Sequence, residues 1–186
     1  MKKGALGVEN LNNVLQKAIN PPHPGKDEIN RGEYVFRTGD RVMQNRNNYQ
    51  LSWYLYDKGS SLRKTGTGVF NGDMGVIMSI NAEDRSLNVR FEDNRVAHYS
   101  GNELSELELS YAVTIHKSQG SEYPAVVMPL LNGPDILMSR NLLYTGITRA
   151  KRCVVIIGSR SMLKKMAENT HEQERYTGLD QEILKI

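Results

Sequence analysis

Two short apolar runs constrain the fold of this 186-residue chain more than any other feature. They are AVVMPL, which starts at Ala125, and CVVIIG, which starts at Cys153, and neither alternates apolar with polar residues. Strands without alternation are buried on both faces, which is typical of a parallel sheet covered by helices. The stretches SRNLLYTGITRA and SRSMLKKMAEN have helical spacing, with Ser159 or Ser161 as the N-cap of the second. This half of the chain is therefore predicted to be α/β with parallel strands.

The segment before the first run is predicted to be a further helix. Apolar residues recur at i, i+3, i+4 and i+7 from Leu109, so the helix would span Glu108 to Gln119 and end near Gly120. His116 falls on the apolar face of this helix, where it is either a core histidine or a residue that faces a ligand.

Three polar side chains of this helix would share one face. Thr114, Lys117 and Ser118 stand at i, i+3 and i+4, which combines one ammonium group with two hydroxyls. Such a group suits a phosphate backbone, which is bound by point charge and hydrogen-bond donors without base readout. The alternative is a solvated helix face that ends in a glycine cap.

The first 100 residues carry a different pattern. Val8 to Ala18 has helical spacing, and the prolines of INPPHPG stop this helix. Short strands with Asn-Gly and Asp-Asn turns follow, which indicates a small β-barrel. The strands are predicted in YVFRTGDRVMQ, in the first half of YQLSWYLYDKGSSLRKTGTG, in GVFNGDMGVIMSI, in SLNVRFED and in NRVAHYS. Lys58 to Gly68 is rich in Gly, Ser, Thr and cations and is predicted to be an exposed loop.

Composition limits the partners and the chemistry. The 24 Lys and Arg residues against 21 acidic residues give a formal charge of +3, which permits an anionic partner without requiring one. Cys153 is the one cysteine and lies in an apolar run, so a buried, inert thiol is expected. The four histidines are scattered, so no metal site is predicted. Without a signal-peptide pattern or a membrane-length apolar run, the cytoplasm is the expected location and no membrane partner is expected.

Three cations close the stretch NLLYTGITRAKR. Arg149, Lys151 and Arg152 follow Thr148 at the predicted end of a helix. One interpretation is that the negative pole of the helix dipole favours cations there. The other is that an arginine reaches a bound phosphate, because guanidinium stays charged and forks onto oxyanions.

Taken in order, these motifs resemble the second motor domain of superfamily-1 helicases, and specifically RecD-like DNA helicases of the exodeoxyribonuclease V alpha-chain type. TIHKSQGSE from Thr114 is similar to motif V of that family, and LLYTGITRAKR from Leu142 is similar to motif VI. GDRVMQNRNNY from Gly39 and VFNGDMGVI from Val69 resemble the SH3-like insertion. GALGVENLNNVLQKAINP and ERYTGL resemble the segment before the insertion and the tail of the family.

The resemblance implies an α/β fold in which an incomplete RecA-like parallel-sheet domain is interrupted by a small SH3-like β-barrel. Residues 1–32 would begin the motor domain, residues 33–108 would form the barrel, and residues 109–186 would complete the motor domain. ATP binds between two RecA-like domains in such helicases. The implied partners are therefore single-stranded DNA, the N-terminal RecA-like domain of the same helicase, and nuclease or helicase subunits.

The resemblance also implies roles for individual residues. Arg149 would be an arginine finger that reaches the γ-phosphate, where such residues stabilise the charge of the transition state. Gly120 and Glu122 would lie at the nucleotide. The DNA contacts would be made by Thr114, His116, Lys117, Ser118, Arg46 and Asn48. Asn48 could equally be an ordinary turn residue, and the aromatic Tyr49 either stacks on bases or packs in the barrel.

A required part of a helicase active site is missing from the sequence. No G-x-x-x-x-G-K-[ST] loop occurs in it. The chain is therefore expected to be the C-terminal part of a 5′-to-3′ DNA helicase that uses ATP, with Mg²⁺ held by the N-terminal motor domain, and to be inactive as an ATPase alone. The alternatives are a stand-alone single-stranded nucleic-acid-binding module, a peptide-binding adaptor and a relaxase-type helicase.

Overall fold

The structure is a computed structural model that describes residues 4–31, 34–55, 64–130 and 138–170. The chain divides into two compact units, Met1–Ser118 and Gln119–Ile186. The described residues form two antiparallel sheets in the first unit and one parallel sheet in the second. Within the described residues, no helix is both long and apolar enough to cross a membrane.

The predicted N-terminal helix is confirmed as α1, Val8–Ile19, and it stops before the prolines of INPPHPG. Its packing differs from that of an ordinary amphipathic helix. Val14 and Ile19 are exposed, whereas Asn12 and Gln16 are buried. The face that α1 packs against the rest of the unit is therefore polar.

A buried carboxylate explains this polar face. Asp40 has no exposed surface, and its side-chain oxygens accept four hydrogen bonds. The donors are the amides of Gln16 (2.5 Å) and Asn20 (2.7 Å), the backbone N–H of Arg37 (2.8 Å) and the hydroxyl of Tyr111 (2.9 Å). Burial and the hydrogen bond to Asp40 raise the pKa of Tyr111 to about 12. A buried carboxylate is tolerated because its hydrogen-bonding capacity is filled in this way.

The strands of the first unit follow α1, with a 3₁₀ helix (Gly101–Glu106) before the last of them. They are β1 (Glu28–Arg31), β2 (Tyr34–Arg37), β3 (Arg41–Gln44), β4 (Asn48–Leu55), β5 (Thr65–Val69), β6 (Met74–Asn81), β7 (Ser86–Phe91), β8 (Arg95–Ser100) and β9 (Leu107–Leu109). β1 and β2 form an antiparallel pair. The other strands form an antiparallel sheet in the order β5-β4-β8-β7-β6-β3-β9, which confirms the predicted series of short strands.

The apolar residues that alternate with polar ones along the strands fill the core of this unit. Leu87, Val89 and Phe91, predicted to share one face of their strand, are all buried. The turn at Asn94 joins β7 to β8 in a hairpin, and Asn94 itself adopts a φ of 65°. Asparagine tolerates this left-handed conformation better than most residues, so the Asp-Asn turn predicted from the sequence is confirmed.

The predicted loop from Lys58 to Gly68 is wrong at its C-terminal end. Thr65–Val69 is strand β5, which pairs with β4, while residues 58–63 lie outside the described residues. Gly66, one of the glycines that suggested a loop, has a packing role. A Cβ atom at Gly66 would lie 2.4 Å from the ring of Trp53, so only glycine fits beneath that ring.

The predicted helix from Glu108 to Gln119 is also wrong. Its first residues belong to β9, residues 111–112 form a bend, and residues 115–120 form turns. Asn12 of α1 gives one physical reason. Its side chain donates to the carbonyl oxygen of Ala112 (3.0 Å) and accepts the Ala112 N–H (2.8 Å), so neither backbone group is available for a helical hydrogen bond.

The described part of the second unit contains two parallel strands and two helices. The elements are β10 (Tyr123–Leu130), α2 (Arg140–Ile147), β11 (Ala150–Gly158) and α3 (Arg160–Glu168). β10 and β11 are parallel, with Val127 in register with Val155, which confirms the predicted strand direction. Ser159 caps α3 by accepting the Met162 N–H, so the first of the two predicted caps is confirmed.

One face of this parallel pair is exposed. Val127 and Val155 are 62% and 44% exposed, whereas Met128 on the opposite face is buried. Cys153 lies on the same face as Val155 and is exposed, so the prediction of a buried thiol is wrong. An unalternated apolar strand is buried on both faces only where both faces are covered, and the described residues cover one.

We predict that Asp40→Ala lowers the free energy of unfolding of the first unit by more than about 3 kcal/mol, because four donors lose their acceptor in a buried site. Urea titration followed by the fluorescence of Trp53, the one tryptophan, measures this. Asp27→Ala is the matched control at an exposed aspartate, with an expected change within about 0.5 kcal/mol. Equal effects of the two substitutions would contradict the role given to Asp40.

Candidate nucleotide and nucleic-acid interfaces

The motif V segment of the first unit is held in one tight turn. The backbone N–H of Ser118 donates to the Thr114 carbonyl at 3.1 Å, and the Thr114 hydroxyl oxygen accepts the Lys117 N–H at 3.3 Å. The Ser118 side chain is buried, and its hydroxyl donates to the Ile115 carbonyl at 2.7 Å. Ser118 therefore stabilises the turn and does not face solvent. His116 is exposed, so the interpretation as a core histidine is wrong.

Thr114 and Lys117 line a small cavity of about 50 Å³ on this unit. Lys117 does not point freely into it, because its ammonium lies 2.6 Å from the carboxylate of Glu108. Glu9 of α1 lines the same cavity. Two predicted DNA-binding side chains thus lie together, beside two carboxylates.

The two predicted DNA-binding residues of the β3–β4 region surround a buried glutamate. Glu106 accepts hydrogen bonds from Arg46, Asn48 and Gln44, each at 2.9 Å. Burial alone would raise the pKa of Glu106, but the hydrogen bonds from Asn48, Gln44 and Arg46 outweigh it and hold the pKa below its ordinary value. The Tyr99 hydroxyl extends the cluster by donating to Gln44 at 2.8 Å.

Arg46 and Asn48 differ in whether their side chains keep hydrogen-bonding groups available for a ligand. The side chain of Arg46 is 56% exposed and keeps donors for an external anion. Asn48 uses both ends of its amide inside the fold, because its oxygen also accepts the N–H groups of Gln50 and Leu51. Asn48 is the first residue of β4, so it is not the turn residue of the alternative interpretation, and these bonds give it a structural role.

The aromatic residues near this cluster have separate environments. Tyr49 is 69% exposed and meets Phe70, itself 43% exposed, edge to face with ring centroids 5.7 Å apart. Trp53 packs against the hydrophobic core instead. Trp53 therefore has a packing role, and the exposed ring of Tyr49 is open to a ligand.

The cations of the motif VI stretch lie beyond the helix. α2 ends at Ile147, Arg149 occupies the following turn, and Lys151 and Arg152 belong to β11. The helix-dipole interpretation therefore does not account for the two later cations, which are strand residues.

Arg149 is fixed by three hydrogen bonds within the second unit. Its guanidinium donates to the carbonyl oxygens of Thr145 (3.3 Å) and Ser121 (3.2 Å) and to the hydroxyl of Thr148 (3.4 Å). The Arg149 carbonyl in turn accepts the Tyr123 N–H at 2.8 Å. These bonds join the turn after α2 to the turn before β10. Predicted nucleotide-binding residues from motifs V and VI are therefore neighbours.

Gly120 and Glu122 belong to that turn before β10. Gly120 has a φ of +87°, which glycine adopts without strain, and a Cβ atom there would have nothing within 4 Å. Glu122 is exposed and pairs with Lys151 at 3.0 Å. In the part of the chain that the structure describes, no group of three or more His, Cys, Asp or Glu side chains has the arrangement of a metal site.

Comparison with known proteins identifies the family. Residues 11–91 match the ATP-dependent RecD-like DNA helicase SH3 domain, and residues 109–157 match the UvrD-like helicase C-terminal domain. The chain belongs to the RecD-like family of DNA helicases. The second match contains Gly120, Glu122 and Arg149, and the first contains Asp40 with three of its four donors, those on Gln16, Asn20 and Arg37.

Relatives support the same assignment along most of the chain. The ATP-dependent RecD2 DNA helicase of Deinococcus radiodurans is 35% identical over 92% of this chain. The RecBCD enzyme subunit RecD of Haemophilus influenzae is 27% identical over 96% of it, and that of Mycobacterium tuberculosis (strain H37Rv) is 35% identical over 53%. The chain spans 21%, 23% and 17% of the lengths of these relatives. The proposed boundaries at 1–32, 33–108 and 109–186 stay a prediction, as do the individual site residues.

Sequence reasoning missed the acidic partners of Arg46 and Lys117, two of the predicted DNA-binding residues. Glu106, which precedes β9, pairs with Arg46, and Glu108 within β9 pairs with Lys117, yet neither glutamate stood out from the sequence pattern. Asn12, also missed, fixes the chain between β9 and motif V. One signal was available for α1, because Asn12, Gln16 and Asn20 recur every four residues and so form a polar stripe along the helix.

We predict that Glu106→Gln lowers the free energy of unfolding at neutral pH by about 1–3 kcal/mol, because Arg46 loses its charged acceptor. The lowered pKa of Glu106 also gives the sign of a pH effect. Its stabilisation is present above the unfolded-state pKa of about 4.3 and is lost as pH falls through the folded-state pKa.

Urea titrations between about pH 7 and pH 3 should therefore show a shallower acid-side loss of stability in Glu106→Gln than in the wild type. Glu83→Gln, at an exposed turn position, is the matched control and should leave the wild-type profile unchanged. Parallel profiles for the wild type and Glu106→Gln would contradict this assignment.

Proposed function

We propose that this chain is the C-terminal part of an ATP-dependent 5′-to-3′ DNA helicase, and that it supplies an arginine finger and part of the grip on single-stranded DNA. The observation that carries the proposal is the contact between Arg149 and the turn of Gly120–Glu122, 3.2 Å from a guanidinium nitrogen to the Ser121 carbonyl. In this proposal the second unit belongs to an incomplete RecA-like domain, interrupted by an SH3-like barrel in the first unit.

Arg149 has the properties that a phosphate-directed arginine needs. Three of its five N–H groups are used in the bonds to Thr145, Ser121 and Thr148, which leaves two for an oxyanion. None of these partners is a carboxylate, so the positive charge is not neutralised by them. The three bonds hold the group in a fixed direction, which reduces the entropy lost when it meets a phosphate.

The neighbouring turn, Gly120–Glu122, has features that suit the sugar part of a nucleotide. Gly120 leaves open space where a side chain would stand, so a ligand can approach the backbone closely. The exposed carboxylate of Glu122 can accept hydrogen bonds from ribose hydroxyls. ATP supplies the phosphoryl group that is transferred to water. We propose that the P-loop and the Mg²⁺ ligands belong to the N-terminal RecA-like domain, since the sequence contains no G-x-x-x-x-G-K-[ST].

The proposed DNA grip lies in the first unit. Thr114 and Lys117 offer a hydroxyl and an ammonium in one turn, and His116 is exposed beside them. The exposed guanidinium of Arg46 would add a phosphate contact. Ser118 and Asn48 would act through the backbone that they hold. Nuclease and helicase subunits are proposed as further partners because two of the relatives bear the name RecBCD subunit RecD.

We predict that Arg149→Ala in the full-length helicase lowers the ATPase kcat by about 10³-fold or more, since transition-state charge loses its arginine. Binding of single-stranded DNA without nucleotide should stay within about twofold of the wild type. A coupled ATPase assay and fluorescence anisotropy measure the two effects.

Arg152→Ala is the matched control, because Arg152 is an exposed cation three residues further along. It should retain ATPase activity near the wild-type level. If both arginine variants lost ATPase activity equally, or if Arg149→Ala lost DNA binding as well, Arg149 would not be the finger.

We also predict that the purified 186-residue chain binds single-stranded DNA with an affinity that falls as salt rises and hydrolyses no ATP above background. The salt dependence is expected because phosphate contacts release counterions. Anisotropy with a labelled oligothymidylate and a phosphate-release assay test both parts. ATP hydrolysis by the chain alone would overturn the proposal that the P-loop is supplied elsewhere.

A further inference from the structure

Lys117, the cation that the proposed function assigns to a DNA phosphate, is already paired with Glu108. The ammonium nitrogen lies 2.6 Å from the carboxylate oxygen of Glu108, and the same cavity is lined by Glu9. With one ammonium and two carboxylates, the cavity carries a net negative charge. A phosphate that approaches it is therefore repelled unless the charge pairing changes.

The pair is partly withdrawn from water. The side chains of Lys117 and Glu108 are 24% and 31% exposed. Water and salt screen such a pair less than a fully exposed one, so the attraction within it, and the repulsion that Glu108 exerts on an anion, are both stronger than at an open surface.

The backbones on both sides of the pair are anchored. Glu108 lies in β9 between Leu107 and Leu109, both buried, so its side chain is directed away from the core. The Lys117 backbone is fixed by the Thr114 hydroxyl. A change of partner therefore requires only a rotation of the flexible lysine side chain about its own bonds.

We propose that Glu108 competes with a DNA phosphate for the ammonium of Lys117, and that this competition limits how tightly the turn of residues 114–118 holds single-stranded DNA. The inference rests on the proposed function, in which Lys117 contacts DNA. A strand that binds must either displace the carboxylate from Lys117 or accept a second negative charge beside its phosphate. Glu108 is in this sense a positioning residue, because it acts on DNA through Lys117.

The test uses the 186-residue chain and a fluorescent oligothymidylate, with dissociation constants measured by anisotropy at several salt concentrations. Glu108→Gln should tighten binding roughly three- to tenfold at low salt. It should also steepen the slope of log affinity against log salt by about 0.7, since one more counterion would be released from single-stranded DNA. If Glu108 had only a structural role, Glu108→Gln would not change the slope of log affinity against log salt.

Two controls separate competition from general removal of negative charge. Lys117→Met should weaken binding. Adding Glu108→Gln to Lys117→Met should give a smaller gain than in the wild-type background, because it then removes only the direct repulsion between Glu108 and DNA. Glu9→Gln removes the same charge from the same cavity without breaking the ion pair, so its gain should be smaller than that of Glu108→Gln. Thermal unfolding of each variant checks the fold. If Glu108→Gln is unstable, Glu108→Asp replaces it in the test, and its shorter side chain should give an intermediate gain in affinity.

Several results would overturn the inference. They are unchanged or weaker binding by Glu108→Gln, an equal gain in Glu9→Gln, and an equal gain in the Lys117→Met background. If Lys117→Met weakens binding while Glu108→Gln does not tighten it, only the inference fails. If the wild-type chain does not bind at low salt, or Lys117→Met binds as well as the wild type, the proposed DNA contact fails and the inference fails with it.

Discussion

The carboxylate of Asp40 links more segments of the first unit than any other contact described above. It accepts hydrogen bonds from Gln16 and Asn20 of α1, from the backbone of Arg37 at the end of β2, and from Tyr111 beyond β9. A carboxylate without exposed surface is costly unless it is fully hydrogen-bonded, so these three segments are required to meet at Asp40. The position of α1 follows from this requirement, and apolar packing alone does not explain it.

The candidate DNA-binding turn depends on that arrangement. With α1 fixed, Asn12 can bind both backbone groups of Ala112, which sets where the chain leaves β9 and enters motif V. The turn that presents Thr114 and Lys117 begins two residues later. The same chain segment brings Glu108 to within 2.6 Å of Lys117, so the elements that present the cation also supply its competitor.

Local pattern was sufficient for most of the elements. The strands around Leu87 and Val155 and the cap at Ser159 were predicted because alternation, apolar runs and capping chemistry act over a few residues. Predictions failed where distant residues intervene. Asn12 takes the hydrogen bonds that a helix at Ala112 would need, and Cys153 is exposed because one face of its sheet is uncovered in the described residues.

The sequence by itself determined the kinds and order of most of the elements and the family, since periodicity, turn residues and motif order are properties of neighbouring residues. It also indicated Arg149 as a phosphate-directed arginine through the resemblance of its motif. Only the tertiary structure decided which charges are already paired. Arg46 meets Glu106 across 60 residues of chain, and Lys117 meets Glu108 because motif V folds back beside β9. Among the described residues, the hydrogen bonds of Arg149 go to uncharged oxygens. The reason is physical: an ion pair depends on distance in space, and spacing along the chain does not fix that distance.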